Sequence, residues 1–486
     1  MAVLSNLQPE KVFYYFEKLC SVPHGSGNTK QISDLCVGFA KELGLKYRQE
    51  ACNNVIIWKN GSCGYENAAP IILQGHIDMV CAKTEDCTKD MTRDGLDVRT
   101  DGEWVWADKT SLGGDNGIAV AMILAILSDE TLPHPPIEAV FTVDEEVGMD
   151  GAAFLDPAPL QGRRLLNIDS EDEGILTVSC AGGVRANMEL PVQAAPCALA
   201  CWRVTLDGLK GGHSGVEIDK GRANASILMG RLLRRLSREL PMRLVQLHGG
   251  QADNAIAPKT TALVLLPDQA WDRAEELTRA CGQTFAHEYQ TADPGIQVRF
   301  DREATPAELP LTAESTGKVI GALALLPNGI QSMSMDIPGL VQTSLNLGIL
   351  RLEEKEAVAT YAVRSSLASE KEMVCDKIEC LAQLLDGHVT YVGDYPAWEY
   401  KKDSQLRELV ADIYEKQTGK KPVIEAIHAG LECGVFAGKL LGLDCISFGP
   451  NLEEIHTPRE RMDVASVERT WSLVCEVLRR AKELTA

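Results

Sequence analysis

A chain of 486 residues, 45% hydrophobic and 24% charged, has the composition of a folded globular protein and more length than one hydrophobic core serves, so two or three domains are expected. Its formal charge of −21 argues against electrostatic attraction to nucleic acid or to an anionic membrane. The N-terminus lacks the basic and apolar regions of an export signal, no stretch reaches the roughly 18 apolar residues of a membrane span, and fifteen scattered cysteines without a CxxC pair fit a reducing compartment, so a cytoplasmic location is expected.

Apolar positions recur with helical spacing over 8–20 and 29–43, separated by the loop "SVPHGSGN", in which His24 reads as a surface residue. Strands are predicted at 54–59 and at "PIILQGHID", 70–78. Side chains two apart on a strand face the same way, which makes His76 and Asp78 neighbours where the apolar run leaves the core. Segment 83–110 is polar and turn-rich, a surface excursion. The uniformly apolar "GIAVAMILAILSDE" from Gly117 is a buried helix, and Asp115 just before it suits either a helix N-cap or a ligand. A strand from Ile137 to Val143 runs directly into Asp144, Glu145 and Glu146, and "RRLLNID" is a short strand ending at Asp169. Three apolar strands thus each end in metal-competent side chains. In open α/β sheets with parallel strands the functional crevice lies beyond the carboxyl ends of the strands.

Near Ala186 the character changes. Segments 202–207, 243–248, 261–266 and 296–301 alternate like half-buried strands, and helices are predicted at about 222–239 and 269–288. That order is the β-α-β-β-α-β of a ferredoxin-like unit, and strands at 341–350, 356–364 and 388–392 with a helix at 368–385 extend the same layer. After "GDYPAW" the α/β signature returns: helix 403–417, strand 422–427, loop "HAGLECG", helix 431–440, strand "DCISFGP", loop "NLEEIHTPRE" and a closing helix over 464–484. The expected architecture is an α/β catalytic domain with a mostly parallel central sheet, made of residues 1–185 and 396–486, interrupted by an inserted α+β lid domain over 186–395.

The polar strand-end residues are His76, Asp78, Asp115, Glu145, Glu146, Asp169 and, from the terminal segment, His456. Imidazole with carboxylate and no thiolate suits zinc in a reactive rather than a structural site, with cobalt or manganese as substitutes. With Asp115, Glu146 and Asp169 as ligands, three negative charges face the four positive charges of two divalent ions. Paired ions lie about 3.5–4 Å apart and lower the pKa of bound water toward roughly 7. The adjacent Glu145 and Glu146 offer one ligand and one free general base.

The motifs "GHID", "SLGGDNG", "TVDEEVG", "LLNIDSEDEG" with "CAGG", "GLKGGHSG", "NAIAP" and "GPNLEEIHTPRE" follow one another over nearly the whole chain. As an ordered set they resemble the aminoacyl-histidine dipeptidases, the Xaa-His branch of the two-zinc exopeptidases that also include aminoacylases and succinyl-diaminopimelate desuccinylases. The resemblance implies two Zn2+ ions, one held by His76, Asp115 and Asp169 and the other by Asp115, Glu146 and His456. It further implies that Asp78 fixes the tautomer of His76, that Glu145 is the general base, and that the Asp115–Asn116 peptide is cis. His213 would stabilise the oxyanion, in many members from the partner subunit of a homodimer, while Asn254 and Arg364 would contact the substrate. A guanidinium fork matches a terminal carboxylate. The plain alternative from the residues alone is a turn residue for His213 and Asn254 and a surface strand residue for Arg364. "HAGLECG" resembles a pocket-lining loop, with no role assigned to His428 or Glu432, and His134, His248, His287 and His388 fall outside the motifs. The expected activity is hydrolysis of dipeptides, Xaa-His among them. Hydrolysis of N-acyl amino acids or tripeptides is the alternative within the family. A non-catalytic metal- or peptide-binding protein is disfavoured, because it would have no need of Glu145.

Overall fold

The computed structural model describes residues 3–304 and 306–484. The chain divides into two units: residues up to Cys180, Tyr400–Ala426 and from Leu431 onward form the first, and Ala181–Glu399 with Ile427–Gly430 form the second.

The first unit is built on an eight-stranded sheet. From edge to edge its strands are Lys46–Gln49, Val55–Lys59, Ile137–Thr142, Ile71–His76, Arg164–Asn167, Asp444–Ser447, Ile175–Cys180 and Val423–Ile427. The four strands from Ile137–Thr142 to Asp444–Ser447 run parallel, and the strands flanking them, Val55–Lys59 and Ile175–Cys180, run antiparallel. Ile71–His76, Ile137–Thr142 and Asp444–Ser447 are buried along their full length, as strands covered on both faces must be, which is why they read as largely apolar runs without polar alternation. Helix Gly114–Leu127 packs on Ile71–His76 and is buried at every position from Ile118 to Leu127. Because the central strands share a direction, the loops after His76, Thr142, Asn167 and Ser447 leave the sheet at one end. The 83–110 excursion contributes more than surface: Val98–Thr100 and Trp104–Ala107 form a small sheet with Arg461–Asp463 and Leu452–Glu453, so the loop 454–460 is the tip of a hairpin in it.

The second unit is a nine-stranded antiparallel sheet. Ala200–Asp207, helix Ala225–Ser237, Arg243–Gly249, Thr260–Leu266, helix Trp271–Glu288 and Gln297–Glu303 make one β-α-β-β-α-β set, whose strands lie in the spatial order fourth, first, third, second. A second set repeats that order with Gly182–Pro191, helix Ala313–Leu325, Val341–Leu352, Glu356–Ser365, helix Ala368–Leu384 and His388–Tyr395, the first set being inserted after its opening strand. The two halves join where Arg243–Gly249 meets Val341–Leu352, at His248↔Arg351 and Gly249↔Leu350. The inserted layer is therefore two ferredoxin-like units rather than one with extensions.

The unit boundaries differ from the sequence expectation by a few residues. The first break falls at Cys180 because Gly182–Pro191 is a strand of the second sheet, paired with Glu356–Ser365 and His388–Tyr395. Residues 427–430 belong to the second unit rather than to the first, since Ala181 N–H donates to Ile427 O (3.2 Å) and Ala429 O (3.0 Å).

Candidate metal centre

At the carboxyl end of the parallel strands, five side chains form a continuous row. His76 Nε2 lies 3.4 Å from Asp169 Oδ1 and 3.1 Å from Asp115 Oδ1. The other oxygen of Asp115, Oδ2, lies 3.1 Å from His456 Nε2, which is 3.0 Å from Glu146 Oε1. Asp115 is thus the shared member between two sets, with Asp169 and His76 on one side and His456 and Glu146 on the other. Ligand atoms of His76, Asp115 and Glu146 all fall within 4.8 Å of one another. Buried Glu146 Oε1 and Asp169 Oδ1 face no polar partner other than these imidazoles, an arrangement that hard or borderline cations would complete.

Asp115 is not the N-cap of the helix it opens. The cap position is Gly113, Asp115 and Asn116 have non-helical backbone, and the Asp115–Asn116 peptide is cis. Asp78 also differs in detail from the expectation. His76 Nδ1 lies 3.0 Å from the main-chain oxygen of Asp78 and 3.4 Å from its Oδ1. The Asp78 carboxylate also accepts from Ser26 Oγ (2.8 Å) and from the main-chain N–H groups of Glu145 (3.2 Å) and Glu146 (3.4 Å), so it braces the turn that carries both glutamates as well as facing His76.

Burial and the crowding of like charges shape the electrostatics of these carboxylates. Burial pushes Glu145 up to about 9, with Asp169, Glu432 and Glu146 adding to the rise against the pull of His76. Asp169 is raised to about 6 by burial, opposed by His76 and reinforced by Asp115 and Glu146. Burial also works on Asp115, but its contacts to His456 and His76 outweigh that and hold it well below the usual carboxylate range. His456 is raised to about 10 by its hydrogen bonds to Asp115 and Glu146.

Two acids that sequence reasoning left without a role support this end of the sheet. Glu432, wholly buried, accepts from Gln74 Nε2 (2.5 Å) and Thr142 Oγ1 (2.9 Å), tying the ends of two central strands to helix Glu432–Lys439. Glu460 accepts from the main chain just before Asp115. Neither pattern shows in sequence, because each depends on partners hundreds of residues away. His24, expected at the surface, is 4% exposed, its Nδ1 2.8 Å from Val22 O.

The second unit gathers a different set. A Cβ on Gly215 would lie 2.5 Å from His428 O, 3.0 Å from His213 Cε1 and 3.2 Å from Arg364 Nε, so these residues surround one glycine. Gly215 and Val216 donate their N–H groups to His213 Nδ1 (3.2 Å each), which leaves the ring proton on Nε2. His428 Nε2 is 2.7 Å from Ser344 Oγ, while its Nδ1 and Arg364 Nε are buried without a hydrogen bond. Burial, then Arg364 and His213, lower His428 to about 3, so it is neutral. Arg364 Nη1 donates to the Tyr395 hydroxyl (2.9 Å), and Arg364 and Asn254 line one cavity of about 180 Å3.

The chain is 36% identical over 481 residues to the cytosol non-specific dipeptidase of Escherichia coli (strain K12), covering 99% of each chain. Its structure superposes on that of the aminoacylhistidine dipeptidase from Vibrio alginolyticus with a TM-score of 0.93 and 37% identity, over 98% of this chain and 97% of the other. A tripeptidase from Staphylococcus aureus, at 16% identity and a TM-score of 0.56 over 98% and 100% of the two chains, shares the fold. Residues 72–480 match the model of peptidase family M20/M25/M40, and with its mixed α/β fold and full-length relatives the chain belongs to that family of hydrolases.

Proposed function

We propose that this peptidase hydrolyses dipeptides, Xaa-His dipeptides among them, with two zinc ions held by His76, Asp115, Glu146, Asp169 and His456. The observation that carries the reading is Asp115, whose two oxygens each reach a different imidazole, His76 and His456, with a carboxylate beyond each. A pair of divalent ions supplies Lewis acidity there, polarising the scissile carbonyl and lowering the pKa of water toward about 7. The names of two full-length relatives, a non-specific dipeptidase and an aminoacylhistidine dipeptidase, support a broad dipeptide specificity.

The chain's own residues do the rest. Glu145 takes the proton of the attacking water and returns it to the leaving amine, a role that its adjacency to Glu146 and its burial support. His213 Nε2–H donates to the oxyanion. Arg364, with Asn254 beside it, takes the substrate carboxylate through its fork of donors. His213 and Arg364 flank the same glycine of the same chain, which supports their acting together within one subunit, whether or not the chain forms the expected homodimer. A cytoplasmic location is in keeping with the relative's description as a cytosol enzyme, and no helix among the described residues is long and apolar enough to cross a membrane.

A hydrolysis panel tests the reading: β-Ala-His, ordinary dipeptides, tripeptides and N-acyl amino acids, each with zinc, cobalt or manganese. Dipeptides are expected to be cleaved in a metal-dependent way. Cleavage of N-acyl amino acids with no cleavage of dipeptides would replace it with an amidohydrolase.

A further inference from the structure

The hairpin tip 454–460 sends two side chains to Asp115. His456 meets its carboxylate, Nε2 to Oδ2 at 3.1 Å. Four residues later, Glu460 meets its main chain. The Glu460 carboxylate, 3% exposed, accepts N–H groups from Leu112 (2.7 Å), Gly113 (3.1 Å), Gly114 (2.8 Å) and Asp115 (3.4 Å).

These amides open helix Gly114–Leu127, whose first N–H groups have no partner within the helix and whose own cap, Gly113, has no side chain to offer. They can converge because Gly113 adopts φ 66°, and a Cβ there would meet Met79 Sδ at 2.8 Å. Successive amides turned toward one point form an anion-binding concavity, and a carboxylate in it makes charge-assisted bonds. The motif "SLGGDNG" is thereby accounted for: its glycines shape a nest that Glu460 fills.

We propose that Glu460 is the positioning residue for the bridging ligand. By holding the main chain of 112–115 it sets the direction in which Asp115 presents its two oxygens. Because His456 rides on the same hairpin tip, one short segment aligns both a ligand and the bridge. The inference rests on the metal-binding reading above. A plain helix cap would contribute to folding stability and leave metal affinity alone, which separates the two roles.

The test uses full-length protein stripped of metal and titrated with zinc against a chromophoric chelator, a readout independent of turnover. Glu460→Ala is expected to weaken zinc binding by about 10- to 100-fold, and to lower kcat with KM held. Added formate, which fits the emptied nest, is expected to restore most of both. Glu460→Gln keeps the shape but turns an NH2 group toward the backbone donors, so it should show the loss without rescue. Should the alanine variant not fold, the glutamine variant decides. Parent-like zinc affinity in either folded variant, with only thermal stability reduced, overturns the proposal. A parent protein that binds no zinc overturns the metal reading and this proposal with it.

Discussion

In the first unit, Asp115, Glu145, Glu146 and Asp169 crowd around two imidazoles, with buried Glu146 and Asp169 oxygens that face no other polar partner. In the second, Arg364, His213 and His428 gather around Gly215, with ring and guanidinium nitrogens left without acceptors. One cluster is suited to cations and the other to an anion. Burial acts alike on both, pushing Glu145 and Asp169 in the first and His428 in the second toward their neutral forms. Each kind of cluster has a use in a peptidase, which needs positive charge on the scissile carbonyl and a basic fork for a free carboxylate.

The comparison can be broken most sharply at the acidic cluster. Glu145→Gln is expected to lower kcat by on the order of 10² to 10⁴ while zinc content stays intact, as read by metal analysis beside steady-state kinetics. A variant that keeps its rate would remove Glu145 from the chemistry. Asp78→Asn should keep its zinc but lose about 10- to 100-fold in rate, because it braces the Glu145–Glu146 turn; complete metal loss would show that it binds the ion itself.

On the basic side, Arg364→Lys removes the fork that matches a carboxylate. A lost charge-assisted hydrogen bond is worth about 1.5–3 kcal/mol, roughly tenfold to a hundredfold in KM for free dipeptides. Dipeptide amides should be affected far less, and equal effects on both substrates would take Arg364 away from the carboxylate. Mixing His213→Ala with Arg364→Ala subunits tests whether the basic cluster belongs to one chain: no recovery of activity is expected, and recovery through hybrid dimers would place His213 in the partner's site.

The smallest effect is on stability. His428 is lowered from an ordinary value near 6.5 to about 3, so between those values the unfolded chain binds the proton and the folded one does not. Its contribution is present above pH 6.5 and lost as pH falls toward 3. His428→Gln should flatten the decline in denaturation midpoint over that window, and an unchanged slope would mean that other groups govern it.

Much of the acidic cluster was legible in the sequence because each of its strands is an apolar run that stops at a polar residue. His76, Glu145, Glu146 and Asp169 stand at those stops. Asp115 was ambiguous, since capping and ligation both call for an Asp before a buried helix; the cap comes instead from Glu460. Glu460 itself was illegible, because a carboxylate that binds main-chain N–H groups leaves no mark on the residues it binds. The duplicated sheet was missed for a topological reason. Its second half opens with Gly182–Pro191 and resumes only at Ala313–Leu325, after the whole first half has been inserted. The place of His428 leaves no mark in the sequence because its partner Ser344, on a strand of the same second unit, is 84 residues away.

Anomalous diffraction at the zinc edge, from crystals of the zinc-loaded protein, tests the central claim most directly. Two peaks about 3.5–4 Å apart are expected, one beside His76 and Asp169, the other beside His456 and Glu146, with Asp115 between them. A single peak, or peaks away from Asp115, would contradict it.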